Sequence, residues 1–269
     1  RIYQGNFAVS LGDGAGRSYQ GNRTVSIGTS AGRTSQGVQS IGIGYAAGQS
    51  YQGRDAVAIG YLAGQFGQNT ESVAIGTNAG KDAQSEFCIA IGPESGRDNQ
   101  KEQSVAIGFG AGKEYQNAAC LAIGYLAGNE AQATQSACIG YEAGKIAQGT
   151  NSDAYGFQAG KEYQGSFSIA IGNQSAEFSQ NNECTAIGYL AGQSYQGAQS
   201  LAMGVSAGQS NQGSQSMAIG NYAGQLDQED FCMAIGYKAG QSNPNQFTTA
   251  IGYKAGETSQ GVRSVAVGY

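Results

Sequence analysis

Ser72-Val73-Ala74-Ile75-Gly76 decides the fold, because close variants of this stretch return every sixteen residues along the chain. Written in rows of that length, the 269 residues fill sixteen rows and thirteen places of a seventeenth, with no insertion. A sequence that repeats without slippage specifies a structure that repeats with it. Counting columns from Arg1, column twelve is glycine in every row, and column sixteen is glycine except at Ala176. Column four is glutamine except at Pro244, column fifteen is nearly always alanine, and column eleven is nearly always isoleucine.

Within the quoted stretch small and large side chains alternate, and they do so again in Ser104, Val105, Ala106 and Ile107. That is strand periodicity, with Val73 and Ile75 on one face and Ser72 and Ala74 on the other. A helical hairpin repeat needs about 33 residues or more, and each glycine inside a helix costs about 1 kcal/mol. Collagen needs glycine at every third place, which this chain lacks. The reading is an all-β fold, a parallel β-solenoid or β-roll of seventeen 16-residue coils forming one repeat domain over 1–269. Strands of successive rows then stack about 4.8 Å apart. The start at Arg1 and the incomplete last row point to a piece of a longer protein.

Each recurrence asks for a cause. Gly12, Gly28, Gly44, Gly60, Gly76, Gly108, Gly124, Gly188 and Gly252 read as corners, where φ is positive or backbone passes too close for a Cβ. Gln20, Gln36, Gln52, Gln68, Gln84, Gln100 and Gln116 read as a stacked amide ladder, each carboxamide donating to one neighbour and accepting from the other. The glycine that often follows, as in Gln52-Gly53, marks a third corner. Column thirteen (Tyr45, Tyr61, Phe109, Tyr125) and column three (Tyr3, Tyr19, Tyr51, Tyr115) are rich in aromatics, which stack into short ladders or serve as ligand platforms.

The large face of columns nine and eleven is expected to run as an apolar ridge inside the coil. Columns eight and ten are small and uncharged, so that face is expected to be dry as well and to pack against neighbouring chains. Ser72, Ala74, Ser104, Ala106, Ala122, Ala170, Ser200 and Ala202 are the predicted oligomer interface. Charges such as Arg54, Asp55, Lys81, Asp82, Glu86, Lys113, Glu114, Lys238 and Lys254 gather in other columns and form a solvated rim. Ser152-Asp153-Ala154-Tyr155-Gly156 breaks the ridge with an acid and a tyrosine, either as a tolerated defect or as a bound ion or specific site.

The net charge of −5 carries no basic cluster, so no nucleic-acid footprint is present. The chain has no histidine and no apolar run long enough for a bilayer helix. Cys88, Cys120, Cys138, Cys184 and Cys232 match no zinc spacing and read as small buried residues. Gly12-Asp13-Gly14-Ala15-Gly16 superficially suggests a phosphate loop, but lacks the strand-to-helix setting. Glu229 and Asp230 fall on a variable corner, and the sequons at Asn22 and Asn173 matter only in a glycosylating source. No catalytic residue, cofactor or metal site is predicted, and the chain is read as a non-enzyme.

The Ser-Val-Ala-Ile-Gly core, best seen at Ser72 to Gly76, Ser104 to Gly108 and Ser264 to Gly268, resembles the YadA-like head repeat of trimeric autotransporter adhesins. Related repeats occur in phage and giant-virus fibre proteins. The repeat here is longer, with the added glutamine corner. The resemblance implies a left-handed parallel β-roll, a homotrimer, an extracellular place on a cell or virion surface, and attachment to a host surface or matrix receptor. The expected function is an elongated, non-enzymatic fibre or adhesin domain whose repeated rim positions bind by avidity. Two alternatives stay open: a filament subunit polymerising end to end, and an ice-binding solenoid that exposes the flat Ser, Thr and Ala face.

Overall fold

Only a very thin coil can be closed with sixteen residues when five of its positions turn through the left-handed region of backbone space. The computed structural model describes residues 2–269, and every coil follows the same path. Each full coil before Gly213 carries two three-residue strands. The glutamine strand spans columns two to four, as at Ser50–Gln52, and the isoleucine strand columns nine to eleven, as at Val57–Ile59. Successive isoleucine strands pair parallel and in register, Val57 beside Val73, Ala58 beside Ala74 and Ile59 beside Ile75. Glutamine strands do the same, with Gln36 beside Gln52. There is no helix among the described residues. Two compact units, Arg1–Gln135 and Ser136–Tyr269, are each built from this coil.

The turns explain why the period never slips. In the coil from Lys145 to Gly160, positive φ occurs at Ala147, Asn151, Gly156, Gln158 and Gly160. Three of these are not glycine, and each such residue costs on the order of 1–3 kcal/mol. Backbone bonds between coils offset that strain: Leu62 N donates to Tyr45 O and Glu71 N to Arg54 O, both at 2.9 Å. An insertion would shift a strained residue away from the carbonyl that holds it. At column twelve only glycine is tolerated, since φ at Gly172 is +133° and an added Cβ would stand 2.4 Å from Gly188 O. Every corner glycine named above lies between +122° and +135°.

The structure reverses the expected sense of the coil. In Val73–Ile75 it is Ala74 that is fully buried, while Val73 and Ile75 are only half-buried on the outside. The interior is made of columns four, eight, ten and fifteen: glutamine, serine or cysteine, and two alanines. One core cluster in the first unit is Ala47, Ala58, Ala63, Ala74, Ala79 and Ala90, and one in the second runs from Ala207 to Ala250. With two alanine walls this close there is no room for an inward isoleucine. The remaining space is filled by a flat, polar side chain.

That side chain is glutamine, and at Gln100 both polar atoms of the carboxamide are engaged. Gln100 Nε2 donates to Ile89 O at 3.0 Å, to Ser104 O at 3.1 Å and to Gln116 Oε1 at 3.0 Å, while Gln100 Oε1 accepts from Gln84 Nε2 at 3.0 Å. The same chain links Gln20, Gln36, Gln52 and Gln68. Column sixteen is glycine because the amide lies over it: a Cβ on Gly96 would stand 2.6 Å from Gln100 Oε1. Gln84 Oε1, Gln180 Oε1 and Gln212 Oε1 have no hydrogen-bond partner, whether column sixteen is Gly80, Ala176 or Gly208. Column eight supplies a short donor for the turn just before it, as when Ser72 Oγ donates to Asn69 O at 2.6 Å.

The ladder ends at Pro244. The glutamine sheet thins there to single bridges, Leu226 with Ser242 and Ser242 with Thr258, and Gln260 Oε1 is left without a donor. Replacing Gln100 with leucine should remove four hydrogen bonds inside the coil and leave Gln116 Oε1 without its donor, lowering stability by about 2–4 kcal/mol. The reverse change, Pro244→Gln, completes the ladder and should raise the melting temperature. Thermal unfolding followed by circular dichroism reads both, and a neutral Gln100→Leu would show that the ladder does not hold the coil.

Candidate interaction surface

The predicted oligomer interface has no surface to give a partner. Ser72, Ala74, Ser104, Ala106, Ala122, Ala170 and Ala202 are 0% exposed and Ser200 is 3% exposed within the single chain. They line the inside of the coil. The outward face is the one expected to be internal: columns nine and eleven of the isoleucine sheet. The sequence did carry a signal for this. Columns four, eight, ten and fifteen hold one size of side chain throughout, as a confined space demands, whereas columns nine and eleven range over Val, Ile, Leu, Met, Thr, Ala, Tyr and Asp.

The outward face is flat, in register and almost free of charge. In the second unit Ile169, Ile171, Met203, Met233 and Ile251 are each between 37% and 40% exposed although strands flank them on both sides. No lysine, arginine or glutamate occurs in columns nine and eleven of either unit, and Asp153 is the single acid. Aromatic side chains border it. Phe109 stacks on Tyr125 with ring centroids 5.4 Å apart, Tyr141 on Phe157 at 5.1 Å, and Tyr253 on Tyr269 at 5.1 Å. On the other border Phe231 stacks on Phe247 at 5.0 Å. These rings lie nearly parallel and cover each other's faces, so they present edges outward. A ring whose faces are already taken is a poor platform for a sugar or a base, and the ladders serve the stack.

Charge lies elsewhere on the coil, and part of it is paired. Lys113 Nζ lies 3.0 Å from Glu94 Oε2, and that hydrogen bond holds the Glu94 carboxyl below the usual range against the upward push of burial. Arg97 bridges Asp98 at 2.7 Å and Glu94 at 3.2 Å. Burial pushes the Glu142 carboxyl up, but bonds from Lys145 and Gln158 outweigh it and leave its pKa lowered. Lys81 is 3.9 Å from Asp82, whose carboxyl burial pushes up, and Arg54 pairs with Asp55 at 2.8 Å. Such partly exposed pairs contribute about 0–1 kcal/mol each, so their role is solubility and spacing.

Asp153 and Tyr155 also lie on the outward face, which removes the buried-acid problem that the sequence raises. The carboxylate is half-buried. Burial, the Asp153 charge and a hydrogen bond to Asp153, in that order, raise the Tyr155 hydroxyl pKa. No group of three His, Cys, Asp or Glu side chains stands together among the described residues. An open depression of about 400 Å³ is lined by Asn181, Tyr195, Asn211, Ser214 and Asp230. Asp230 Oδ1 there accepts from Ser214 N at 2.7 Å, so the acid is engaged in holding the turn of the preceding coil. No helix of the described residues is long and apolar enough to cross a membrane. Comparison with protein-family models finds none that matches the chain, and comparison with curated proteins finds no match.

All five cysteines are buried. In column eight the thiol replaces serine as a short donor, as where Cys88 Sγ donates to Lys101 O at 2.8 Å and Cys184 Sγ to Gly197 O at 2.8 Å. Burial pushes the Cys88 thiol from 9.0 up to about 11, and Cys184 shifts the same way for the same reason. A proton held more tightly when folded gives stability that is complete below the unfolded value and lost as pH rises through the folded one. The window for Cys88 is therefore pH 9 to about 11. The native thiols should be inert to a water-soluble disulfide reagent and all react after denaturation. Replacing Cys88 and Cys184 by serine should remove part of the fall in melting temperature across that window, and an unchanged slope would remove the thiols from the account.

Proposed function

We propose that this chain is a non-enzymatic repeat domain that associates with copies of itself through the isoleucine face and acts as an extended scaffold for attachment. The observation that carries the reading is the flat sheet face of columns nine and eleven, apolar and nearly uncharged in both units. Two side chains across and eight coils along, the face of one unit measures on the order of 400 Å² at a strand spacing of about 4.8 Å. That is about half of the ~800 Å² that one partner gives to a standard interface, before the flanking aromatics are counted. An exposed apolar patch of this size marks an interaction site.

The second copy is the occupant best matched to it. A periodic flat face is complementary to an identical periodic flat face, whereas an irregular globular partner would touch only a few coils. The resemblance to YadA-like heads favours three copies and a place outside the cell, on a cell or virion surface. In such an assembly the paired charges and the outward column-three tyrosines, Tyr51, Tyr115, Tyr163 and Tyr195, stay in solvent at repeated spacing. Weak contacts to a host surface or matrix receptor then add by avidity. The ice-binding alternative required an exposed Ser, Thr and Ala face, and those columns are inside the coil.

Light scattering or native mass spectrometry of the soluble chain tests this. We expect a discrete oligomer, three copies by preference, and association weakened at least tenfold when Ile171 on the face is replaced by lysine. Ile171 is outward and 38% exposed, so the variant should keep its β-sheet circular dichroism. A monomer at micromolar concentration would sink the reading.

A further inference from the structure

A docking face that is the same at every level does not say where to dock. In the second unit the outward pairs run Ile169 and Ile171, Thr185 and Ile187, Leu201 and Met203, Met217 and Ile219, Met233 and Ile235, with little to tell one from the next. Two copies displaced by one coil, about 4.8 Å, would bury nearly the same apolar area and lose only an end rung. Registers one or two coils apart are then close in free energy.

One level is different. Ala137 and Asp153 follow each other in column nine, directly paired in the sheet, and Tyr155 stands beside Asp153 in column eleven opposite Ile139. The next coil returns to Ile169 and Ile171. We propose that Asp153, with Tyr155 and the step at Ala137, is the register mark by which copies of this chain align along the isoleucine face. The proposal rests on the self-association reading above.

The physical reason is the cost of an unpartnered charge. A carboxylate moved from water into an apolar contact costs several kcal/mol unless polar groups meet it. The groups that face Asp153 on its own sheet are Tyr155 on its strand, Ala137 and Ile139 on the strand before, and Ile169 and Ile171 on the strand after. Asn151 and Phe157 stand at the turns on either side. Only Tyr155 among them is titratable, and burial, then the Asp153 charge, raise its pKa, so it keeps its proton beside the carboxylate. When the marks of two copies coincide, the acid meets a level that also carries a tyrosine hydroxyl and, over Ala137, room for water. When they are one coil apart, it meets Ile169 and Ile171 or Ala137 and Ile139, whose side chains donate nothing. The aligned register is selected because the others are worse. The same logic lets one polar residue in an apolar coiled-coil seam set its register at a cost in stability.

The test separates alignment from association. A nitroxide on Asn173→Cys, an exposed position two residues beyond the Ile171 strand, reports the distance between copies by pulsed electron spin resonance, the native thiols being buried. The unmodified face and Asp153→Asn should each give one narrow distance. Asp153→Ile should bind about tenfold more tightly, as when an apolar side chain replaces a charge at an interface, and should give several distances from registers a coil apart. An Asp153→Ile oligomer with one unchanged distance overturns the register mark while leaving self-association intact. A chain that is monomeric by mass overturns the self-association reading itself. Asp153 is half-buried on the outside of the coil, so a folded Asp153→Ile is expected and is checked by its melting temperature.

Discussion

Everything in this molecule follows from the width of the coil interior. Alanine on two facing walls brings the backbones so close that only a planar amide fits between them, and glutamine is the side chain that supplies one at the right length. Gln100 illustrates the result: one carboxamide joins its own turn, the neighbouring isoleucine strand and the next glutamine in a single set of bonds. A hydrogen-bonded interior of this kind is sensitive to any missing partner, because an orphaned buried carbonyl costs about 1–3 kcal/mol. The bonding, together with the strained turns, accounts for a period without a single insertion.

Filling the inside with small and polar residues leaves the large apolar ones for the outside. An ordinary domain hides isoleucine from water within one chain. Here Ile171 and Met203 remain more than a third exposed, and no rearrangement of the thin coil can bury them. In the proposed assembly, the hydrophobic contribution that would ordinarily stabilise the monomer goes to association. The fold and the proposed function are linked at this point: a coil that cannot bury its own isoleucines gains by finding a second copy.

Much of the architecture was legible in the sequence, because period and alternation are geometric. The sixteen-residue spacing gives the coil, the alternation through Ser72 to Ile75 gives a strand with two unlike faces, and a glutamine column broken only at Pro244 gives the ladder. The assignment of inside and outside was not legible from alternation alone, since a period of two says that faces differ and not which is hidden. Size was a misleading guide. Uniformity was the better one: Ala79, Ala127 and Ala159 recur in column fifteen because nothing larger fits, while Asp153, Thr185 and Met217 share column nine because solvent or a partner accommodates them.

Asp153 shows how the meaning of one residue depends on that assignment. With column nine inside, it is a buried acid without a counter-charge and must be a defect or an ion site. With column nine outside, it costs little in the free chain, because water reaches it, and its cost appears only when the face is covered. A group that is neutral to folding and costly to misaligned docking acts on specificity alone. The regularity that makes this coil stable also makes its surface ambiguous, and a single irregular row is the smallest departure that removes the ambiguity without disturbing the ladder beneath it. The backbone carbonyl of Asp153 still accepts from Gln164 Nε2 at 2.9 Å, as its equivalents do in other coils. The irregularity is therefore confined to the outward side chain, where it leaves the coil intact and marks one level of the face.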